Sequence, residues 1–305
     1  MDKIIVVVGP TGVGKSAVGL KLAEIFQSEI ISGDSIQIYR QLDIGSAKMS
    51  FEEMKGIKHY LIDEKELNET YNVMEFQQEA RRIISELHEK NKIPLIVGGT
   101  GLYIKAVLYD YEFKLEDSSE EFMKQHEQYS NDELYEMLIE ADIDSTHKIH
   151  RNNRKRILRA LFMANTGEKK SEIISKQKAQ PIYDAFIVGC TLERSKLYER
   201  INERVDIMLE NGLQEELEKL SKIANVWDFQ GMQGIGYREW KDYFDGDKGE
   251  EQVIEDIKKH SRQFAKRQYT WFNNQMEIKW YDMAKATVIN DIVSDIEKWR
   301  NSNVE

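Results

Sequence analysis

Eight residues near the N-terminus, Gly9-Pro10-Thr11-Gly12-Val13-Gly14-Lys15-Ser16, fit the pattern G-x-x-x-x-G-K-[ST]. That spacing is phosphate chemistry. The glycines let backbone N–H groups close around phosphate oxygens, and a helix starting at the loop's end adds its positive terminus. Lys15 would neutralise the phosphates, and the Ser16 hydroxyl would reach a Mg²⁺ ion. A second candidate is Asp34, in Ser32-Gly-Asp-Ser35. Its carboxylate could hold the metal through water, act as a general base or cap the next helix. A third is the pair Arg200 and Arg204, one helical turn apart. Such a pair can stabilise a leaving pyrophosphate, although Arg200 reads better as part of an exposed face beside Glu203 and Asp206.

These residues need a frame. Ile4 to Val8 is wholly apolar and β-branched, the pattern of a strand buried on both faces. It runs directly into the glycine loop, and Val18, Leu22 and Ile25 then recur at helical spacing. Glu29–Ser32 reads as a second strand, running into Gly33-Asp34-Ser35, and His59–Ile62 as a short third. Val73, Phe76, Ala80, Ile83, Ile84 and Leu87 mark an amphipathic helix. Ile93–Val97 is a further strand, followed by Gly98-Gly-Thr-Gly-Leu-Tyr103. Repeated β-α-β units predict an α/β fold: a P-loop-type parallel sheet with flanking helices and ligands at the carboxyl ends of the strands. Asp34 and Thr100 would share that rim with the P-loop.

From about Leu115 to Pro181 the chain turns charged and helical, with Asn165-Thr-Gly167 reading as a helix end. Strands resume at Ala185–Cys190, followed by a helix over Glu193–Asn211 and a late apolar run at Ile278–Tyr281. This predicts an inserted all-helical domain at 115–181, within a catalytic domain of 1–114 and 182–305 whose C-terminal part is helical.

The 305 residues suffice for a substantial core. No apolar run approaches a membrane span, and the chain starts on a core strand without a signal peptide, so a cytoplasmic protein is expected. One cysteine, Cys190, leaves no internal disulfide or multi-cysteine zinc module. It lies in an apolar run and reads as a buried structural thiol. The net charge of −11 argues against generic nucleic-acid affinity. It hides a separation, however. Glu112–Asp144 carries twelve acids and two lysines, whereas Lys148–Arg159 carries six positive charges and no acid. A second basic block, Lys258–Arg267, precedes Tyr269 and Trp271. Either block could bind a polyanion or be an ordinary solvated face.

Taken together, the motifs resemble the tRNA dimethylallyltransferase (tRNA isopentenyltransferase) family. The matches are Gly9–Ser16, Ile31-Ser-Gly-Asp-Ser-Ile-Gln-Ile-Tyr39, Asp43-Ile-Gly-Ser-Ala-Lys48, Val97-Gly-Gly-Thr-Gly-Leu-Tyr103, Arg204-Val-Asp-Ile-Met-Leu-Glu-Asn-Gly-Leu213, Gly234-Ile-Gly-Tyr-Arg238 and Lys266-Arg-Gln-Tyr-Thr-Trp271. They occur in order over almost the whole chain. The chain departs from the family at Ile149-His-Arg-Asn-Asn153, which lacks the usual proline and acid, and at Ser46, where threonine is commoner. It lacks the zinc-finger tail of some eukaryotic members and is similar to the bacterial type.

The resemblance implies transfer of a dimethylallyl group from dimethylallyl diphosphate to N6 of the adenosine immediately 3′ to the anticodon of tRNA, releasing pyrophosphate. It implies Asp34 as the base on N6, Thr11 near the bridging oxygen, and Lys15, Arg204 and Mg²⁺ on the leaving group. Gly9, Pro10, Thr11, Gly12, Val13, Gly14, Lys15 and Ser16 would hold the diphosphate, with Ser16 on the metal. Implied contacts to the tRNA anticodon stem-loop are Asp34, Ser35, Ile36, Gln37, Thr100, Lys155, Arg156, Ile157, Leu158, Arg159, Gln233, Gly236, Tyr237, Arg238, Lys266, Arg267, Gln268 and Trp271. Glutamine can read an adenine edge bidentately, which suits Gln37. The helical insertion resembles the family's tRNA-clamping domain, and no obligate protein partner is implied. Two rivals use the same P-loop, an adenine-nucleotide isopentenyltransferase and an ATP-dependent small-molecule kinase. The basic blocks argue against the first. The absence of an acid after Ile93–Val97, where a Walker-B residue would sit, argues against the second.

Overall fold

A computed structural model describes residues 1–111, 119–165 and 180–302, which fall into two compact units. The larger unit, Met1–Tyr109 with Pro181–Glu305, is built on a sheet of six strands among the described residues. They are β1 (Lys3–Val8), β2 (Ile30–Ser32), β3 (His59–Tyr60), β4 (Leu95–Gly98), β5 (Asp184–Thr191) and β6 (Lys279–Asp282). The order is β3-β2-β4-β1-β5-β6, and every neighbouring pair is parallel. Strand β1 is central because both of its faces are covered. Ile4, Val6 and Val8 enter one apolar core, while Ile5 and Val7 enter the other.

Helices α1 (Lys15–Phe26), α2 (Val73–Glu89) and α3 (Gly101–Leu108) connect the first strands. The start of α2 is set by a capping box. Asn72 accepts the N–H groups of Met74 and Glu75, and the Glu75 carboxylate accepts the N–H of Asn72.

The smaller unit, Asp110–Gln180, is helical in its described residues: α4 (Ser119–Gln125), α5 (Asn131–Ala141) and α6 (Arg154–Asn165), with a short turn at Ile143–Thr146. It has its own core of Leu134, Leu138, Ile149, Ile157, Leu158, Ala160 and Leu161. Thr166 and Gly167, read as part of a helix end, lie outside the described residues.

The larger unit then resumes with β5 and helices α7 (Arg194–Glu210), α8 (Leu213–Leu220), α9 (Glu250–Gln275) and α10 (Val288–Asn301). The late apolar run is the edge strand β6. Its register, Val188 opposite Lys279 through Thr191 opposite Asp282, is shifted one residue beyond the apolar run itself. Among the described residues no helix is long and apolar enough to cross a membrane.

Candidate active site

The loop after β1 turns through backbone that only glycine adopts easily, with Gly12 at φ +79° and Gly14 at φ +99°. A Cβ on Gly12 would also lie 2.8 Å from the Ile201 side chain of α7, so the loop packs closely beneath that helix. Lys15 folds back over the loop and donates to the Pro10 carbonyl at 2.8 Å. Burial pushes its ammonium down to about 8, and the positive charge of Arg204 adds to the shift. Cys190 lies beneath the loop, fully buried, with its thiol pushed up to about 12 by burial. It is a structural thiol, as its apolar setting suggested.

The ends of β2 and β4 are stitched together. Gly33 N–H donates to the Val97 carbonyl at 2.8 Å, and Thr100 N–H to the Gly33 carbonyl at 3.2 Å. Thr100 Oγ1 accepts the Ser35 N–H at 3.2 Å. Asp34 Oδ1 accepts the N–H of Ile36 at 2.9 Å, which fixes the carboxyl in a local turn. Its other oxygen carries no hydrogen bond from a described residue. Residues 35–58 are turns and loops without a helix, so Asp34 is not a helix cap.

Arg204 arrives from α7. Leu197, Ile201, Val205 and Met208 bury one stripe of that helix and so set its rotation. Arg204 is left half-buried at the cavity while Arg200 is exposed, which resolves the pair as the sequence suggested. Burial pulls the Arg204 guanidinium down, and the Asp34 carboxylate opposes the shift. Thr11, Asp34, Thr100 and Arg204 all line one cavity of about 310 Å³. Its other walls include apolar Val205, Met208, Ile257 and Phe264. Charged and polar groups thus share one cavity with apolar side chains.

Another wall is the turn at Asp43–Ser46, and here the sequence reading missed a residue. Glu216 of α8 accepts three successive backbone N–H groups, those of Asp43 (3.2 Å), Ile44 (2.8 Å) and Gly45 (3.3 Å). The hydroxyl of Tyr237 also donates to it. The Arg204–Leu213 motif stops three residues short of Glu216. Only its place beside the buried stripe of Leu213, Leu217 and Leu220 hinted at it. Gln37 donates to the Ser46 carbonyl at 3.3 Å and accepts from Ser32 at 3.3 Å. Its amide is therefore held by this wall. Ile36 also lines the cavity.

Beyond Tyr237, Gly236 N–H donates to Glu239 at 2.9 Å, and the same carboxylate takes Arg238 Nε and His260 Nδ1, each at 2.9 Å. Gln233, Gly236 and Arg238 line the cavity. Tyr237 does not; it is fully buried. Its expected role as a contact residue gives way to an internal one. Gln268 does line the cavity, but it is 6% exposed and both polar atoms of its amide are bonded to the protein.

The second basic block is not uniform. Lys258 pairs with Asp206 at 2.7 Å and His260 with Glu239. Lys266 and Arg267 have no carboxylate partner among the described residues. They border an open groove on α9 with Thr270, Trp271 and Asn274. In the smaller unit the basic run also divides. Arg151 pairs with Glu136 at 2.8 Å, and Arg154 donates to the backbone carbonyls of His126 and Tyr129 at 2.8 and 2.6 Å. Lys155, Arg156 and Arg159 are exposed. Ile157 and Leu158 are a correction: at 0% and 6% exposure they belong to that unit's core, so their side chains cannot face a ligand.

Comparison with known proteins points to one family. The IPP transferase family model matches residues 37–275. A protein of Anoxybacillus flavithermus called tRNA dimethylallyltransferase is 45% identical over 296 residues, 97% of this chain and 95% of its own length. The crystal structure of a tRNA delta(2)-isopentenylpyrophosphate transferase from Staphylococcus epidermidis matches with a TM-score of 0.73 at 40% identity, covering 98% of this chain and 99% of its own. A eukaryotic dimethylallyltransferase acting on tRNA matches with a TM-score of 0.82 at 29% identity, covering 97% and 80%.

Proposed function

The chain belongs to the IPP transferase family, and from that premise we propose that it transfers a dimethylallyl group from dimethylallyl diphosphate to N6 of the adenosine immediately 3′ to the anticodon of a tRNA. The observation that carries this reading is the single cavity in which Asp34, Thr11 and Arg204 converge beside an apolar wall.

The diphosphate lies on the P-loop, and the prenyl tail lies along Val205, Met208 and Phe264. The amine nitrogen attacks C1, the C1–O bond breaks and pyrophosphate leaves. Positive charge develops on the allyl group and negative charge on the leaving oxygen, so Lys15 and Arg204 act where charge grows. The Thr11 side chain lies beside the bridging oxygen. An exocyclic adenine amine is a poor nucleophile, and Asp34 accepts its proton as the bond to carbon forms. The target base must leave the anticodon stack to reach this cavity.

A Mg²⁺ ion would add charge stabilisation to the leaving diphosphate. Among the described residues there is no cluster of three His, Cys, Asp or Glu side chains able to cage a metal. The Ser16 hydroxyl fits instead as one ligand of an ion held mainly by diphosphate oxygens and water. The exposed Lys155, Arg156, Arg159, Lys266 and Arg267 would meet the anticodon stem-loop, and a tRNA substrate would suit a cytoplasmic enzyme.

Following pyrophosphate release from dimethylallyl diphosphate with and without tRNA tests the reading. Release that depends on tRNA supports it. Brisk conversion of ATP to ADP instead would make the chain a kinase or hydrolase.

A further inference from the structure

Gln268 sits on the buried stripe of α9, three residues after Ala265 and four before Phe272, both fully buried. At 6% exposure, its amide is used at both ends. Oε1 accepts the backbone N–H of Thr11 at 2.8 Å, and Nε2 donates to the Gly99 carbonyl at 2.9 Å. Leucine could make neither bond, and an ionised glutamate could only accept. Residue 99 must also be small, because a Cβ there would lie 2.4 Å from the Gln268 amide nitrogen.

We propose that Gln268 is a positioning residue that ties the P-loop at Thr11 to the turn carrying Thr100, and so sets the distance between the two halves of the site. The Thr11 N–H is committed to Gln268, so the main chain at Thr11 is oriented by α9. From Gly99 the connection continues. Thr100 Oγ1 accepts the Ser35 N–H at 3.2 Å, next to Asp34. Hydrogen bonds through Gln268, the Gly99–Thr100 peptide link and the Thr100 hydroxyl therefore join the loop that would hold the leaving group to the backbone of Ser35, the residue next to the carboxylate that would take the proton. Misplacing reacting groups by about 1 Å costs on the order of a hundredfold in rate, so this distance matters more than the stability of either bond. The proposal rests on the transfer reaction above and gives Gln268 an internal task instead of an RNA contact.

The test uses the full chain with four variants: Gln268→Leu, Gln268→Glu, Gly99→Ala and the double variant carrying both Gln268→Leu and Gly99→Ala. Affinity for inorganic pyrophosphate is measured by calorimetry. Values of kcat and KM are measured with dimethylallyl diphosphate and an anticodon stem-loop. Q268L and G99A should each lower kcat about ten- to hundredfold and weaken pyrophosphate binding, with KM for the stem-loop within about threefold. The double variant should be no worse than the poorer single, because both changes break one link. Q268E, which keeps the bond to Thr11, should fall between wild type and Q268L. A raised KM for the stem-loop at unchanged kcat would make Gln268 an RNA contact and overturn the proposal. Unchanged pyrophosphate affinity, or losses that multiply in the double variant, would overturn it too. If the wild-type chain transfers no prenyl group, the functional reading fails, while the pyrophosphate titrations still decide for or against Gln268.

Discussion

The hydroxyl of Tyr237 donates to the Glu216 carboxylate at 2.7 Å and accepts the backbone N–H of Ser46 at 3.2 Å. Burial and that carboxylate push the phenol well above its ordinary pKa, so it stays a donor throughout the working range. Together the two residues hold the Asp43–Ser46 wall. The ring lies so close that a Cβ on Gly45 would be 2.6 Å from it. Gly45→Ala should therefore overpack this contact and cost about 1–3 kcal/mol. Tyr237→Phe should cost about 1 kcal/mol by leaving the half-buried Glu216 and Ser46 short of a hydrogen bond. Urea unfolding measures both. Because Gln37 hangs on the Ser46 carbonyl, KM for the stem-loop should also rise in each variant.

Asp34→Asn keeps an oxygen for the Ile36 N–H and so preserves the local turn, but it removes the proton acceptor. Transfer should fall about 10²–10⁴-fold while stem-loop affinity stays near wild type. Single-turnover kinetics and a binding titration separate the two effects. Near-normal turnover would remove Asp34 from the role of base.

Lys15 gives a pH dependence whose sign is fixed. Its ammonium is depressed to about 8 in the ligand-free protein, so it is charged below that pH and neutral above it. An anionic diphosphate favours the charged form. Pyrophosphate affinity should then fall as pH rises through about 8, by up to roughly tenfold per unit. Lys15→Met serves as the reference that cancels the ligand's own titration. Asp34 raises the Lys15 pKa, so in Asp34→Asn the fall should begin at a lower pH than in wild type.

Neutralising Lys155, Arg156 and Arg159 together should weaken stem-loop binding and flatten its dependence on salt. Each phosphate that the variant fails to neutralise lowers the logarithmic slope by about 0.7–0.9. The same titration with Ile157→Val should leave the slope unchanged, since Ile157 packs inward.

The parts of this site that were legible from sequence are those whose chemistry is local. A strand segment buried on both faces must be apolar, and β1 is so from Ile4 to Val8. A phosphate loop needs its glycines and lysine at fixed spacing, and Asp34 stands where a strand of that sheet ends. The connections that position these groups were not legible. Glu216 reaches Asp43, and Gln268 reaches Thr11, across 173 and 257 residues of chain. A hydrogen bond between distant residues leaves no period in the sequence. Charge runs misled in a different way. Counting the basic residues of Lys148–Arg159 could not show that Arg151 and Arg154 turn to partners within their own unit. The run also hid Ile157 and Leu158, whose apolar spacing is that of a core stripe.

The most direct measurement is mass analysis of nucleosides from tRNA incubated with the protein, Mg²⁺ and dimethylallyl diphosphate, with the Asp34→Asn variant alongside. The expected result is an adenosine carrying one five-carbon prenyl group on N6, located immediately 3′ to the anticodon, formed by wild type and nearly absent with the variant. Unmodified tRNA after incubation with wild type, or a prenyl group carried by free adenine nucleotide instead, would contradict it.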